Sequence, residues 1–272
     1  MRVKTFKNGQ IIIHLGDVMA CFSKVADETV DLVFADPPYN LGKKFKGATD
    51  RFEPKQYLDW MSSWIQEIDR VLSPEGAVYL MNSTQNLAEM ELICREKFFV
   101  QSTIAWVYDS SSVQARKRFG SSWEPILFMT KNKNKYTFNF EDILVEAKTG
   151  AKRGLIDYRK TPPQPYSTTK VPTNVWQIPR VRYRMKEYEN HPTQKPLALL
   201  ERVILASTNK GDTVLDPFAG SFSSGYASNK LKRKFIGFEI SEEYVKIGLR
   251  RLDFSKTPDN ETEKTIGEKN KG

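Results

Sequence analysis

The chain has 272 residues, 39% hydrophobic and 28% charged, with a formal net charge of +9; this is enough for one large core or two small ones in a soluble protein. No apolar run is long enough to span a bilayer, and the opening MRVKTFKNGQ lacks the apolar stretch of a secretory signal. Two cysteines, Cys21 and Cys94, without metal-ligand spacing, and two histidines, His14 and His191, argue against a disulfide scaffold and a metal centre, and predict buried thiols in a reducing, cytoplasmic compartment.

The first element, QIIIHLGD (10–17), is apolar and β-branched and predicts a strand ending in Gly-Asp. TVDLVFAD (29–36) predicts a second strand. KQYLDWMSSWIQEIDRVLSPEG (55–76) spaces Leu58, Met61, Ile65, Ile68 and Leu72 at helical intervals and stops at Pro-Glu-Gly. GAVYLMNS (76–83) predicts a strand, QNLAEMELICREK (85–97) a helix and VQSTIAWVYD (100–109) a strand, with EPILFMTK (124–131) as its hairpin partner. The alternation implies an α/β fold with a doubly wound, Rossmann-like, mostly parallel sheet and one antiparallel hairpin.

Over residues 132–190 the alternation breaks. Strong apolar periods are few, and prolines gather in KTPPQPYSTT (161–169 and the preceding Lys160). Between residues 151 and 186 nine Lys or Arg (152, 153, 159, 160, 170, 180, 182, 184, 186) face one acid, Asp157, giving 9 − 1 = +8. Tyr158, Tyr166, Trp176 and Tyr183 lie among them. Cations interleaved with aromatics suit a surface that follows phosphates and touches bases, and the charge alone fits a solvated basic loop equally well.

The alternation then resumes. HPTQKPLALLERVILAST (191–208) predicts a proline-started helix, DTVLDPFAGS (212–221) a strand and tight turn, and SSGYASNKL (223–231) a helix. KFIGFEI (234–240) predicts a strand, and SEEYVKIGLRRL (241–252) a helix capped by its serine. The expected organisation is two halves of one domain, 1–131 and 191–254, around a recognition insert at 132–190. A polar, disordered tail follows at 255–272.

Two Asp-Pro motifs carry the chemistry. DTVLDPFAGSFSSG runs a strand into a glycine-containing turn, where backbone can approach a ligand closely. One strand later FIGFEI ends in Glu239, placed to accept from both hydroxyls of a ribose. No GxGxxG or P-loop lysine is present, and Asp216 suits a ligand bearing positive charge. In FADPPYNLG, Asp36 ends a strand, while Pro37 and Pro38 lock the backbone and offer fixed carbonyls. Tyr39 offers a flat face to a planar base, a role its ring fills without the hydroxyl. Together these groups form a clamp for an amine on an aromatic ring.

DPPYN, followed much later by HPTQKP and DPFAGS, resembles the β-group of bacterial amino-methylating DNA methyltransferases over residues 10–252. The longer strings MNSTQN, VYDSSSVQA, VEAKTGAKRGLIDYRKTPPQPY and RVRYRMKEYENHPTQKP resemble its YhdJ-type, adenine-specific subgroup. The resemblance implies transfer of a methyl group from S-adenosylmethionine to adenine N6 in double-stranded DNA, at the palindrome ATGCAT, with neither a metal nor a covalent enzyme intermediate. It implies that Asp216, Phe218, Ala219, Gly220 and Ser221 form the S-adenosylmethionine turn, with Glu239 on the ribose. His191, Thr193, Gln194 and Lys195 would lie at the methionine end, and Asp17 near the cofactor's adenine. Asp36, Pro37, Pro38 and Tyr39 would hold the flipped target base. The insert cations Arg153, Arg159, Lys160, Lys170, Arg180, Arg182 and Arg184 would face DNA, and a homodimer follows the family tendency. One departure is GSFSSG, where the family has Gly-Ser-Gly-Thr, so that the bulkier Phe222 is expected to tighten the turn. N4-cytosine methylation is the alternative chemistry; a catalytically silent DNA-binding subunit and a nicotinamide-dependent enzyme are the rivals from other classes.

Overall fold

The computed structural model describes residues 3–45, 48–108, 116–117, 119–147 and 153–254. The expected tail at 255–272 lies outside them. Nine strands make the central sheet: β1 (Lys4–Asn8), β2 (Ile11–Leu15), β3 (Val30–Ala35), β4 (Leu72–Met81), β5 (Phe99–Val107), β6 (Trp123–Thr130), β7 (Val175–Gln177), β8 (Thr213–Asp216) and β9 (Lys234–Glu239). Their order is β1-β2-β9-β8-β3-β4-β6-β5-β7. From β2 through β4 every pairing is parallel. β6 runs antiparallel to β5, which is the expected hairpin, and also to β4, while β1 and β2 form a second antiparallel hairpin that the sequence did not predict.

Burial on both faces explains the apolar strands. In β3, Leu32 and Phe34 enter one core layer while Val33 and Ala35 enter the other. Helices α1 (Val18–Phe22), α2 (Pro54–Val71) and α3 (Leu87–Arg95) cover the Val33 side. Helices α4 (Leu197–Ser207), α5 (Ser223–Lys230) and α6 (Glu242–Arg251) cover the Leu32 side. On α2, the buried Tyr57, Met61, Trp64, Ile65, Ile68 and Val71 keep the 3.6-residue period. Cys21 and Cys94 are buried as expected, and burial pushes both thiols up to about 12, which leaves them unreactive at neutral pH.

Four further features differ from the expectation. The helix predicted over 55–76, α2, stops at Val71, because Leu72 turns extended and opens β4 directly. The proline-started helix begins only at Leu197, so HPTQK remains a loop that can reach the sheet crevice. Ser241 occupies the α6 N-cap without a capping side-chain bond; the Glu239 carboxylate accepts the Ser241 N–H instead (2.8 Å). The basic insert adds a strand to the main sheet, which its irregular sequence did not predict. Its Val175–Gln177 segment extends the main sheet along β5, and Trp106 Nε1 donates to the Ile178 carbonyl (2.8 Å).

Candidate active site

β8 and β3 are neighbours, with Leu215 opposite Val33. Beyond them the chain departs to opposite layers, to α2 after β3 and to α5 after β8. Such a divergence opens a crevice at the carboxyl ends of parallel strands. A cavity of about 500 Å³ lies there, and residues of both Asp-Pro motifs line it.

Asp36 is half-buried at the tip of β3. Its Oδ1 accepts from the Tyr39 hydroxyl (2.6 Å) and its Oδ2 from Lys195 Nζ (2.5 Å). The turn beneath it is held from the neighbouring helices. Tyr57 donates to the Pro38 carbonyl (2.8 Å), Asn82 donates to the Tyr57 hydroxyl (2.9 Å), and Asn86 donates to the Tyr39 carbonyl (2.8 Å). Asn40 takes a left-handed backbone, φ +58°, a conformation asparagine tolerates. Its side chain pairs with both backbone groups of Phe52 (2.7 and 3.1 Å). Pro37 lines the cavity beside Asp36. Burial, then the Asp36 and Glu124 carboxylates, push the Tyr39 phenol well above its ordinary range, so the hydroxyl stays a donor.

The second motif divides between wall and support. Gly220 and Phe218 line the cavity, whereas Asp216, Ala219 and Ser221 lie behind the lining. The Asp216 carboxylate accepts from the Phe218 N–H (3.0 Å) and from the Ser224 hydroxyl. Through these bonds Asp216 ties strand, turn and α5 together. Burial raises its pKa to about 7. Gly220 has φ +50°, and a Cβ there would sit 2.7 Å from His191 Nε2, so both backbone and space require glycine. The Glu239 carboxylate accepts the Gly220 N–H at Oε2 (2.9 Å) and the Ser241 N–H at Oε1 (2.8 Å), and the residue lines the cavity. Asp17 also lines the cavity, and its Oδ1 caps α1 by accepting from Met19 N–H (3.0 Å).

The HPTQK loop also splits. His191 lines the cavity against Tyr244, ring centroids 4.5 Å apart, and burial followed by the Lys195 charge lowers its pKa to about 4. Thr193 borders the cavity, with its N–H on His191 Nδ1 (3.3 Å). Gln194 also reaches the wall, but its amide is committed to the loop, donating to Glu187 O (2.5 Å) and accepting from Glu189 N–H (2.7 Å). Lys195 lines the cavity as well, with its ammonium joined to Asp36.

Among the insert cations, Arg153, Lys160, Lys170, Arg182 and Arg184 are exposed. Arg159 is exposed and forked onto Asp157 (2.8 and 3.0 Å). Arg180 is placed differently from these exposed cations. It lines the cavity, sits 3.6 Å from the Tyr108 ring centroid, and pairs with Glu124 (2.6 Å). Sequence reasoning missed Glu124, and the aromatic partners Phe52 and Trp60 that join the expected Phe218 in one wall, in which Phe52 stacks on Trp60 at 5.5 Å and Trp60 meets Phe218 at 5.7 Å. The available signal for Glu124 was an acid opening an otherwise apolar strand, EPILFM. No group of three or more His, Cys, Asp and Glu fit to hold a metal occurs among the described residues.

Residues 30–250 match the N6_N4_Mtase model, described as DNA methylase. The chain is 59% identical to the DNA adenine methyltransferase YhdJ of Escherichia coli K12, over 89% of this chain and 82% of that protein. It is 34% identical to the type II methyltransferase M.HpaI of Haemophilus parainfluenzae, over 87% and 72%. Among solved structures, the fold is similar to the PvuII cytosine-N4-specific DNA methyltransferase (TM-score 0.69, 19% identity, 89% and 86% covered). It is also similar to the M1.HpyAVI–SAM complex (TM-score 0.58, 24% identity, 89% and 99% covered). With its sheet, its crevice and both motifs in register, the chain belongs to the N6/N4 DNA methylase family.

Proposed function

We propose that this DNA methylase transfers a methyl group from S-adenosylmethionine to the N6 amino group of adenine in duplex DNA, within the sequence ATGCAT. The observation that carries this reading is the Asp36 carboxylate, fixed at the end of β3 and opening onto the same cavity as Gly220 and Glu239. Similarity to a protein named as an adenine methyltransferase supports the choice of base, and the likeness of the insert strings to that subgroup supports the site.

The crevice fits the cofactor on its own geometry. Gly220 leaves an open cradle that a side chain would fill, and Glu239 presents acceptor oxygens where a ribose would lie. His191 and Tyr244 border one side, and Trp60 and Phe218 another. When bound, S-adenosylmethionine would supply an electrophilic methyl, the N–C bond forming as the S–C bond breaks, with the electron pair left on sulfur and the surplus amine proton passing to solvent. The residues of the chain do the rest. Asp36 and the Pro37 carbonyl accept the two amine hydrogens and turn the nitrogen lone pair outward. The Asp36 charge offsets the positive charge arriving on nitrogen. The Tyr39 ring stacks on the base, which must leave the duplex to reach this depth. The exposed insert cations follow the phosphates.

Homodimerisation and a cytoplasmic location belong to the same reading; the first is tested by sedimentation with and without duplex. Cytosine N4 offers a similar amine to the same acceptor, and single-molecule sequencing separates the two chemistries. DNA from a methylation-deficient host expressing the protein is expected to carry N6-methyladenine in ATGCAT. N4-methylcytosine, or N6-methyladenine in another context, would overturn the base or the site respectively.

A further inference from the structure

β6 delivers one acid that the chemistry above leaves without a role. Its strand, WEPILFMT, carries a single charge, Glu124, in register with Trp106 of β5. The Glu124 side chain is only 14% exposed, and polar groups converge on it from four other segments, one of them the Tyr108 hydroxyl just beyond β5. Arg180 Nη2 from the insert lies 2.6 Å from Oε1. The Tyr39 hydroxyl lies 3.1 Å from Oε2, and Lys195 Nζ, itself 8% exposed, lies 3.9 Å from Oε2. Tyr39 and Lys195 are the two groups that also hold Asp36. The two carboxylates therefore share both partners, and Asp36 and Glu124 together balance Lys195 and Arg180.

A carboxylate at this depth persists only where cations compensate its lost hydration. Burial alone would raise the Glu124 carboxyl, but Lys195 and Arg180 hold it below the ordinary range. We propose that Glu124 is a positioning residue of the methyl-transfer centre, taking up the charge of Arg180 and part of that of Lys195 so that Asp36 stays available to the incoming amine. The inference rests on the reading of Asp36 as the acceptor of that amine. Without the Glu124 charge, Asp36 is left as the ion-pair partner of Lys195, Arg180 loses the partner it has among the described residues, and the amine gains positive charge beside that guanidinium. Through Arg180, the same carboxylate joins the insert to the reacting centre.

The test is single-turnover methyl transfer at saturating S-adenosylmethionine and duplex, at a temperature where every variant is folded by circular dichroism. Glu124→Gln is expected to slow transfer by roughly 10- to 100-fold, the range seen when the support of a functional ligand is lost at metal sites. Affinities for S-adenosylmethionine and duplex are expected to stay the same. The double variant Glu124→Gln with Arg180→Gln restores the balance of charge and is expected to transfer faster than Glu124→Gln alone. A purely structural carboxylate predicts the opposite order, since the double variant also removes the guanidinium that packs on Tyr108. A wild-type rate for Glu124→Gln, or a double variant no faster than the single, overturns the inference. If Glu124→Gln does not fold, the double variant decides, because it leaves no arginine unpaired: a rate as low as that of Asp36→Ala overturns the inference. A fully active Asp36→Ala would instead remove the underlying reading, and with it this one.

Discussion

Phe222 holds a left-handed backbone, φ +57°, with its ring fully buried. A glycine would take this conformation freely, and a bulky residue takes it only where its surroundings enforce it. The enforcement comes from the ring, which fills the space where Gly237 or Gly248 would carry a Cβ. The ring plugs the α6 side of the turn. Gly248→Ala should therefore overpack this site and cost about 1–3 kcal/mol in urea denaturation; unchanged stability would mean that the ring yields without strain. Tyr39 also carries more than its sequence context indicates. The ring alone suffices for stacking, but the hydroxyl is bonded to Asp36, so Tyr39→Phe removes a hydrogen bond to a charged group, worth roughly 1.5–3 kcal/mol. Tyr39→Phe is expected to slow transfer about tenfold or more at saturating substrates, and Tyr39→Ala further, by the loss of about 1–3 kcal/mol of stacking. Equal rates for wild type and Tyr39→Phe would return the residue to a stacking role alone. Asp36, Gly220 and Glu239 were legible in sequence because each follows a strand and sits in a recognisable turn. Glu124 was not, since its partners, Arg180 and Lys195, lie 56 and 71 residues further along, and only folding brings them together.

At the scale of elements, long periodic segments were legible and short edge pieces were not. α2 announces itself by its buried period, and the β5–β6 hairpin by two apolar runs. β7 has three residues, and its place in the sheet comes from packing: Trp176 is buried, and Asn174 Nδ2 donates to the Thr103 carbonyl (2.9 Å). Two tryptophans make the contribution of polar satisfaction measurable. Trp106 and Trp64 are both fully buried, but only Trp106 has a partner for its indole N–H; Trp64 Nε1 has none among the described residues. Trp64→Phe removes a donor already unsatisfied, while Trp106→Phe leaves the Ile178 carbonyl unpaired, a penalty of about 1–3 kcal/mol. Chemical denaturation should find Trp106→Phe the more destabilised of the two, and the reverse order would contradict this account. The insert contributes differently on its exposed side. Lys160→Gln with Lys170→Gln should lower the slope of log affinity against log salt by about 0.9 for each phosphate left without its cation, leaving cofactor affinity alone. An unchanged slope would move the DNA track away from these lysines.

Across the whole molecule, buried titratable groups set opposing pH dependences. Burial, with nearby lysines, lowers His14 and His191 to about 4 from 6.5. The unfolded chain takes up these protons near pH 6.5 and the folded one only near 4, so stability falls as the pH drops through that window. Asp216 acts in the reverse sense. Folded, it keeps its proton up to about pH 7; unfolded, it releases it near 3.8, so its contribution to stability is lost as pH rises between those values. Asp216→Asn should therefore steepen the rise of the melting temperature between about pH 4 and 6.5, and a flatter profile would contradict the assignment. The doubly wound topology places Asp36 and Gly220 around one crevice, because β3 and β8 are adjacent and send their chains to opposite layers. The central claim is that Asp36 is the seat of the amine in that crevice. Its most direct measurement is mass spectrometry of nucleosides from duplex DNA incubated with S-adenosylmethionine and either wild type or Asp36→Ala, at concentrations where both are saturated. Loss of such a preorganised partner corresponds to about 10²–10³ in rate, so N6-methyladenine is expected to accumulate with the wild type and to be slowed by that factor in the variant, with cofactor and duplex binding retained. N6-methyladenine formed at the wild-type rate by Asp36→Ala would contradict the account.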